Sequence, residues 1–444
     1  MSAETTTAPG LVLAAPASAS GKTLVTLAAL RAYRQRGVAV AAAKAGPDYI
    51  DPGFHARAGG GACFNLDPWS MRPETLRAVA ARAGAQAELL LIEGVMGLFD
   101  GARDGSGSTA DLAALFGWPV VLVVDAKGRG SSIAADVLGF HTFRADLGLA
   151  GVIFNRVGGA AQRAILQAAM AGIAVPVLGY LPEIADLRLP SRHLGLVQAA
   201  ELGDLECLLD CAATWIATAL DLARLRALAR PARLSRVGGN PGDGAALPPL
   251  GQRIALARDA AFAFAYPHLI ESWRTGGAEI LPFSPLADEA PDRTANAVFL
   301  PGGYPELHAG RLAANRRFLD GLRARAAAGA TIYGECGGYM ALGQGMIDRD
   351  GRRHEMAGLL PIETSFAAPK RHLGYRAARL IADGPLGAKG TTFRGHEFHY
   401  ASVTREGGGA PLFTARDAVN SDLGATGRRV GRVLGSFLHL VDRA

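Results

Sequence analysis

Between Leu11 and Leu181 short apolar runs alternate with amphipathic stretches, a rhythm that restricts this part of the chain to parallel strands joined by helical crossovers. The runs are Leu11–Ala15, Val38–Ala43, Leu89–Ile92, Val120–Val124, Gly151–Phe154 and Val175–Gly179, each strand-length and flanked by Gly, Pro or charge. Near-continuous apolarity implies burial on both faces of the sheet. A helical stretch, Glu201–Arg230, follows, and the string RVGGNPGDGAALPPL then crowds Gly, Pro, Asn and Asp into a linker. Beyond it the rhythm restarts at Ile254–Ala257, Glu279–Pro282, Ala297–Leu300 and Thr331–Tyr333, and ends with Arg394–Val403 and Val433–Leu438. The expected fold class is therefore α/β in two domains, residues 1–232 and 252–444, joined by a linker over 233–251. The later strands of the second domain are expected to run antiparallel.

Length agrees, since 444 residues are too many for one ordinary core. Hydrophobic residues make up 49% and charged residues 19%, which supports burial and argues against disorder. The net charge of +6 comes from scattered arginines without a long basic run, so small polyanions are expected as ligands and nucleic acid is not. No apolar run approaches the roughly 20 residues that span a bilayer, so no membrane partner is expected. Cys63, Cys207, Cys211 and Cys336 show no paired metal-ligand spacing and are too sparse for a disulfide framework, which points to a reducing cytoplasm. A homodimer stays open as an assembly state.

The first strand runs into Ala15-Pro16-Ala17-Ser18-Ala19-Ser20-Gly21-Lys22-Thr23 and then a helical stretch, Leu24–Arg36. Small residues let backbone N–H groups wrap a phosphate, the helix N-terminus adds partial positive charge, Lys22 a point charge and Thr23 a hydroxyl for Mg²⁺. This is a P-loop pattern with Pro16 where glycine is usual, and it makes Ser20, Gly21, Lys22 and Thr23 candidate ATP ligands. The second run delivers KAGPDYIDPG and the third EGVMGLFDG, so acids gather at the carboxyl ends of strands, where ligands bind in open α/β sheets. Thr23, Asp48 and Glu93 are candidate Mg²⁺ ligands. Asp51 and Asp100 are candidates to orient an incoming substrate or accept a proton, the alternative being turn formation by Asp-Pro and Asp-Gly. Tyr49 is a candidate substrate contact. Asn155, at a strand end, suits adenine recognition or a turn cap equally. Arg188, Arg192 and His193 form either a carboxylate clamp or a solvated basic loop.

In the second domain a strand enters Gly334-Glu335-Cys336-Gly337-Gly338, the thiol counterpart of a nucleophile elbow, with a helix N-terminus expected to lower the thiol pKa. Gly302 and Gly303 end another strand, and their backbone N–H groups are candidates for an oxyanion hole. His439 is the candidate base, with His396, His399 and Glu397 as rivals better suited to glutamine or interdomain contacts.

Taken in order, KAGPDYIDPGFH, EGVMGLFDG, LPSRHLGL, PGGYPE, GECGGYM and RGHEFHY resemble the cobyrinic acid a,c-diamide synthase family of cobalamin biosynthesis over nearly the whole chain. The front half is similar to dethiobiotin synthetase-like ligases and the back half to class I glutamine amidotransferases of the cobyric acid synthase type. The resemblance implies that Cys336 hydrolyses L-glutamine through a thioester. It also implies that ATP and Mg²⁺ phosphorylate corrinoid acetate groups in the front domain, for ammonia to convert to amides. Hydrogenobyrinic acid and cobyrinic acid are the two candidate rings, with the first favoured. Alternatives are a cobyric acid synthase acting on other side chains and a P-loop ATPase switch without catalysis, the latter disfavoured by the Cys336 elbow. Class I amidotransferases commonly carry glutamate two residues after the histidine, and Val441 stands there, which leaves the third member of the Cys-His site unassigned.

Overall fold

The computed structural model describes residues 8–184, 187, 189–192, 195–233 and 247–444. They form two compact units, the first made from residues up to Trp69 and from Leu76 onward, the second from Ser70–Thr75 and the C-terminal part of the chain. Most of the expected linker, residues 234–246, lies outside the described residues.

In the first unit, seven strands form one parallel sheet: β1 (Gly10–Ala14), β2 (Val40–Ala45), β3 (Cys63–Leu66), β4 (Leu89–Glu93), β5 (Val120–Asp125), β6 (Leu149–Val157) and β7 (Val177–Pro182), in the order β3-β2-β4-β1-β5-β6-β7. All residues of β1 and β4 are buried, as two-faced apolarity requires of central strands covered by helices. The helix Lys22–Gln35 follows β1 directly, and Asp51–Gly59 follows β2. A two-residue ladder, β8 (Ser191–Arg192) with β9 (Gly195–Leu196), comes next, and the expected helical stretch resolves into Leu205–Ala219 and Leu222–Ala227. Because β1 sits between β4 and β5, the loops leaving β1, β2 and β4 share one sheet edge.

The second unit has a ten-stranded sheet. Its parallel half contains β10 (Arg253–Ala257), β11 (Glu279–Phe283), β12 (Ala297–Leu300) and β13 (Thr331–Glu335). A smaller four-stranded sheet is built from β14 (Gly345–Ile347), β15 (Arg353–Glu355), β16 (Ile362–Ser365) and a later strand, β19 (Ser402–Glu406). The large sheet continues with β17 (His372–Leu380), β18 (Thr392–His399), β20 (Ala410–Asp417), β21 (Asp422–Val430), β22 (Val433–Ser436) and β23 (Leu438–Arg443). β22 pairs parallel with β13, whereas β17, β18, β20, β21 and β23 pair antiparallel, as expected of the later strands. Two expected strands are each split. Arg394–Val403 divides at Tyr400, and Val433–Leu438 divides at Phe437, where the chain leaves β22 for β23. Within this unit Arg72 grips Asp442, with Nη2 to Oδ1 at 3.0 Å, Nε to Oδ2 at 3.1 Å and the backbone N–H to Oδ2 at 2.9 Å. That two-pronged, charge-assisted bond explains why Ser70–Thr75 groups with residues far along the chain.

Candidate active sites

The loop between β1 and the helix Lys22–Gln35 is fixed from within and from β6. Ser20 Oγ donates to the Ala17 carbonyl at 2.9 Å, and Asn155 Nδ2 donates to the Ser20 carbonyl at 3.0 Å. Gly21 has φ of 87°, and a Cβ there would collide with the Asn155 amide, so the position needs glycine twice over. Asn155 thus braces the loop, its amide nitrogen engaged on the protein itself. Arg156 adds a second brace, donating to the Ala19 carbonyl at 2.8 Å while its Nε reaches Asp125 at 2.8 Å.

Beside this loop, the acids form a tight charge cluster around a residue that sequence reasoning passed over. Lys44, the penultimate residue of β2, places Nζ 2.6 Å from Asp51 Oδ2, 2.8 Å from Glu93 Oε1 and 3.7 Å from Asp48 Oδ2. Thr23 Oγ1 donates to Glu93 Oε1 at 2.7 Å, and Lys22 Nζ lies 3.8 Å from the same oxygen. His55 completes the group, with Nδ1 donating to the Asp51 carbonyl at 2.6 Å and Nε2 lying 2.5 Å from Glu93 Oε2. A lysine ending an apolar strand needs a buried partner, and a histidine four residues after Asp51 shares its helix face; those were the available signals.

Burial would drive the proton from Lys44, yet Asp51, Glu93 and Asp48 hold its pKa well above the ordinary lysine value. Burial likewise acts to raise Glu93, but Lys44, His55 and Lys22 overcome it and keep this carboxylate well below its usual range. Lys22 is lowered, chiefly by burial. Asp51 is pushed up to about 6 by burial and by Asp48, which gives it a proton affinity useful near neutrality.

Asp48 divides its two oxygens: Oδ1 accepts from the N–H groups of Ile50 and Asp51 at 2.9 and 3.0 Å, and Oδ2 faces Lys44. Asp100 is exposed and closes a turn, its Oδ2 accepting from Gly97 N–H at 2.8 Å, so the turn-forming alternative describes its contact here. Tyr49 is half-buried between the two acids of its loop. Arg188 and His193 lie outside the described residues, as does the side chain of Arg192. Thr23, Asp48, Asp51 and Glu93 present only oxygen donors beside a phosphate loop, a set whose hardness fits Mg²⁺.

In the second unit Cys336 follows β13 directly with φ 48° and ψ −102°, a conformation that L-residues rarely adopt and that turns the chain sharply out of the strand. Its N–H donates to the Ser436 carbonyl at 2.8 Å, and a Cβ on Gly338 would collide with the Leu300 carbonyl, so strand, turn and the helix Gly337–Leu342 are locked together. Gly302 lies against both reacting groups: a Cβ there would be 3.3 Å from Cys336 Cβ, 3.3 Å from His439 Nε2 and in collision with His439 Cε1. His439 is 1% exposed and Cys336 4%. Burial, with Glu306 second, pushes the thiol far up, which reverses the expectation that the helix N-terminus lowers it. Burial also holds His439 well below its ordinary value, helped by His396 and His399. The resting pair is accordingly a neutral thiol beside a neutral imidazole, competent for general-base activation when substrate arrives.

The rival histidines are occupied elsewhere. His396 faces His439 across the β18–β23 ladder with rings 4.9 Å apart and nearly parallel, and its Nε2 is hydrogen-bonded to Tyr266 Oη at 2.8 Å. His399 Nδ1 donates to the Ala401 carbonyl at 3.0 Å, while Nε2 meets Glu397 Oε1 at 2.9 Å. His372, Glu397 and His399 cluster closely, but the two imidazoles stack 4.6 Å apart at 7° and Arg376 Nε holds Glu397 at 2.9 Å. Parallel rings cannot aim their in-plane lone pairs at one ion, so the stacking opposes joint coordination. The Gly302→Ala substitution should displace His439 and lower glutamine hydrolysis about 100-fold while the thermal melt holds, as steady-state glutaminase assays would register.

Residues 11–197 match the CobQ/CobB/MinD/ParA nucleotide binding domain, and residues 253–443 match the CobB/CobQ-like glutamine amidotransferase domain. The chain is 54% identical over 435 residues to a hydrogenobyrinate a,c-diamide synthase of Brucella anthropi, covering 98% of both chains. It is 53% identical to that of Rhizobium meliloti, over 98% of this chain and 99% of the relative. The Rhodobacter capsulatus counterpart is 52% identical, over 97% of this chain and 98% of the relative.

Proposed function

Because the chain belongs to the hydrogenobyrinate a,c-diamide synthase family, we propose that its own substrate is hydrogenobyrinic acid, amidated at the a and c acetate groups. The chain is a glutamine- and ATP-dependent amidating ligase of cobalamin biosynthesis. Among the described residues no helix is long and apolar enough to cross a membrane. From the four unbridged cysteines we assign the cytoplasm as the compartment.

The observation that most supports the chemistry is the Gly302-lined juxtaposition of Cys336 and His439 in one unit, while the other carries a braced phosphate loop beside paired acids. In the second unit His439 Nε2 takes the thiol proton as Sγ attacks the glutamine carboxamide carbon. The same imidazole returns that proton to the departing ammonia, and water then hydrolyses the thioester to glutamate. Backbone N–H groups at Gly302, Gly303 and Gly337 are the nearby donors for the oxyanion.

In the first unit the Ser20–Thr23 backbone and Lys22 hold the ATP phosphates. A substrate carboxylate oxygen attacks the γ-phosphorus, ADP leaves, and ammonia then displaces phosphate from the acyl carbon. Asp51 receives the proton lost by the attacking ammonia, a task that suits its raised pKa of about 6. Lys44 neutralises the acids and supplies positive charge to the transferring phosphoryl group. Thr23, Asp48 and Glu93 are the residues that would hold Mg²⁺, which when bound neutralises phosphate charge.

The substrate assignment is tested by incubating the protein with ATP, Mg²⁺, glutamine and either hydrogenobyrinic or cobyrinic acid and following product mass. Two successive acid-to-amide steps on hydrogenobyrinic acid, faster than on the cobalt ring, are expected. Amidation of the cobalt ring alone would reassign the substrate.

A further inference from the structure

The Cys-His pair of the second unit has no carboxylate two residues after the histidine, since Val441, fully buried, stands there. The structure brings a carboxylate to the imidazole from another strand. Glu335, the residue immediately before the nucleophile, is 2% exposed at the end of β13. Its Oε1 accepts from Tyr333 Oη at 2.9 Å and from Leu440 N–H at 3.1 Å. Its Oε2 lies 3.8 Å from His439 Nδ1.

The placement on the ring matters. Gly302 lies against Cε1 and Nε2 of His439 with Cys336 Cβ close to the same point, while Glu335 Oε2 faces Nδ1. An imidazole that must accept a thiol proton at Nε2 needs its own proton on Nδ1, and an acceptor facing Nδ1 sets that tautomer. The two donors on Oε1 leave Oε2 as the oxygen presented to the ring.

We propose that Glu335 is the positioning carboxylate of the glutaminase site, orienting His439 through Nδ1 and stabilising the imidazolium formed during thiol attack. This rests on the reading of Cys336 and His439 as nucleophile and base. The strand order explains how such a residue is available: Glu335 ends β13, Cys336 follows it in a strained turn, and the pairing of Glu335 with Ser436 of β22 brings the chain just before His439 alongside. The groups facing Glu335 are Tyr333 on its own strand and His439 from β23, with the Cys336 thiol next in the chain. Burial raises its pKa to about 8, so its ionisation falls within the working range of a glutaminase assay.

The test is Glu335→Gln, which keeps an oxygen for Tyr333 and Leu440 but turns an N–H donor toward Nδ1 and so favours the wrong tautomer. Glutamine hydrolysis, measured without corrinoid, should lose kcat by about 10²- to 10⁴-fold with little change in KM. The limb of the wild-type pH profile near pH 8 should vanish. Wild-type kcat and an unaltered pH profile in Glu335→Gln would overturn the proposal, as would a loss confined to KM. Cys336→Ala, run beside it, separates the two readings: glutaminase retained there sinks the nucleophile assignment itself, whereas its loss with Glu335→Gln intact sinks only the role of Glu335. Should Glu335→Gln fail to fold, the ¹⁵N spectrum of histidine-labelled wild type, with His439 assigned from His439→Gln, reads the tautomer directly. The Nδ1–H form supports the proposal and the Nε2–H form overturns it.

Discussion

Cys336→Ala should lose glutamine-dependent amidation by on the order of 10⁴-fold or more, while amidation supplied with ammonium chloride continues at the wild-type rate. The size of the loss follows from the absence of a substitute. The nucleophile sits in a strained turn, φ 48°, with Gly302 packed against both it and His439, and alanine leaves nothing to form the thioester. The persistence of the ammonia reaction follows from the other unit, which contains the phosphate loop and the acid cluster and has no need of the thiol. Product mass under the two nitrogen sources reads both halves of the expectation in one experiment. Loss under both would mean that Cys336 also supports ligation.

Lys44→Met should have the opposite signature: amidation fails with either nitrogen source, and glutamine hydrolysis persists. Lys44 is the cation that lets Asp51 and Glu93 remain ionised within 2.6 and 2.8 Å of one ammonium. Its removal strands buried carboxylate charge, which typically costs about 3–5 kcal/mol. The pH dependence fixes the sign. Burial is the leading influence on both carboxylates and acts to raise their pKa values, and without Lys44 the upward shift of Asp51 grows beyond its present value of about 6. The folded variant then binds more protons than the unfolded chain, so its stability recovers as pH falls through the folded-state pKa and worsens as pH rises. Urea unfolding of the first unit at about pH 6 and about pH 8 should show the deficit relative to wild type widening at the higher pH. A deficit independent of pH would mean that Lys44 contributes packing and not charge.

These expectations rest on features of unequal visibility in the sequence. The phosphate loop, the acids after β2 and β4 and the cysteine elbow were legible because each is a contiguous string at a strand end, where strand, turn and helix chemistry coincide. The parallel sheet was legible for the same reason, since β4 and β5 are apolar almost throughout. β3 is not legible because it is four residues long and interrupted by Asn65, a buried polar residue whose Nδ2 donates to the carbonyls of Gly46 and Asp48 at 3.0 and 2.7 Å. Those bonds help shape the acid-bearing loop, so a functional brace hid a strand.

Pairings between distant residues were not legible. Nothing local in the sequence joins Lys44 to Glu93, or Glu335 to His439, since each contact depends on which strands become neighbours. The fate of Asn155 illustrates the same limit. β6 runs past it to Val157, and whether its amide faces a nucleotide or the Ser20 carbonyl depends on the approach of the loop after β1. The thiol pKa is a related case: the helix N-terminus is visible in sequence, whereas the burial that outweighs it is not.

If ATP activates a substrate carboxylate as an acyl phosphate before ammonia attacks, an oxygen passes from the acid to phosphate, and isotope transfer reads that passage. Hydrogenobyrinic acid carrying ¹⁸O in its carboxylates would be converted with ATP, Mg²⁺ and glutamine, and the released inorganic phosphate examined by ³¹P NMR. The expected result is ¹⁸O in inorganic phosphate, one labelled phosphate for each amide formed. Amide formation with unlabelled phosphate, or with the label in AMP, would exclude the acyl phosphate.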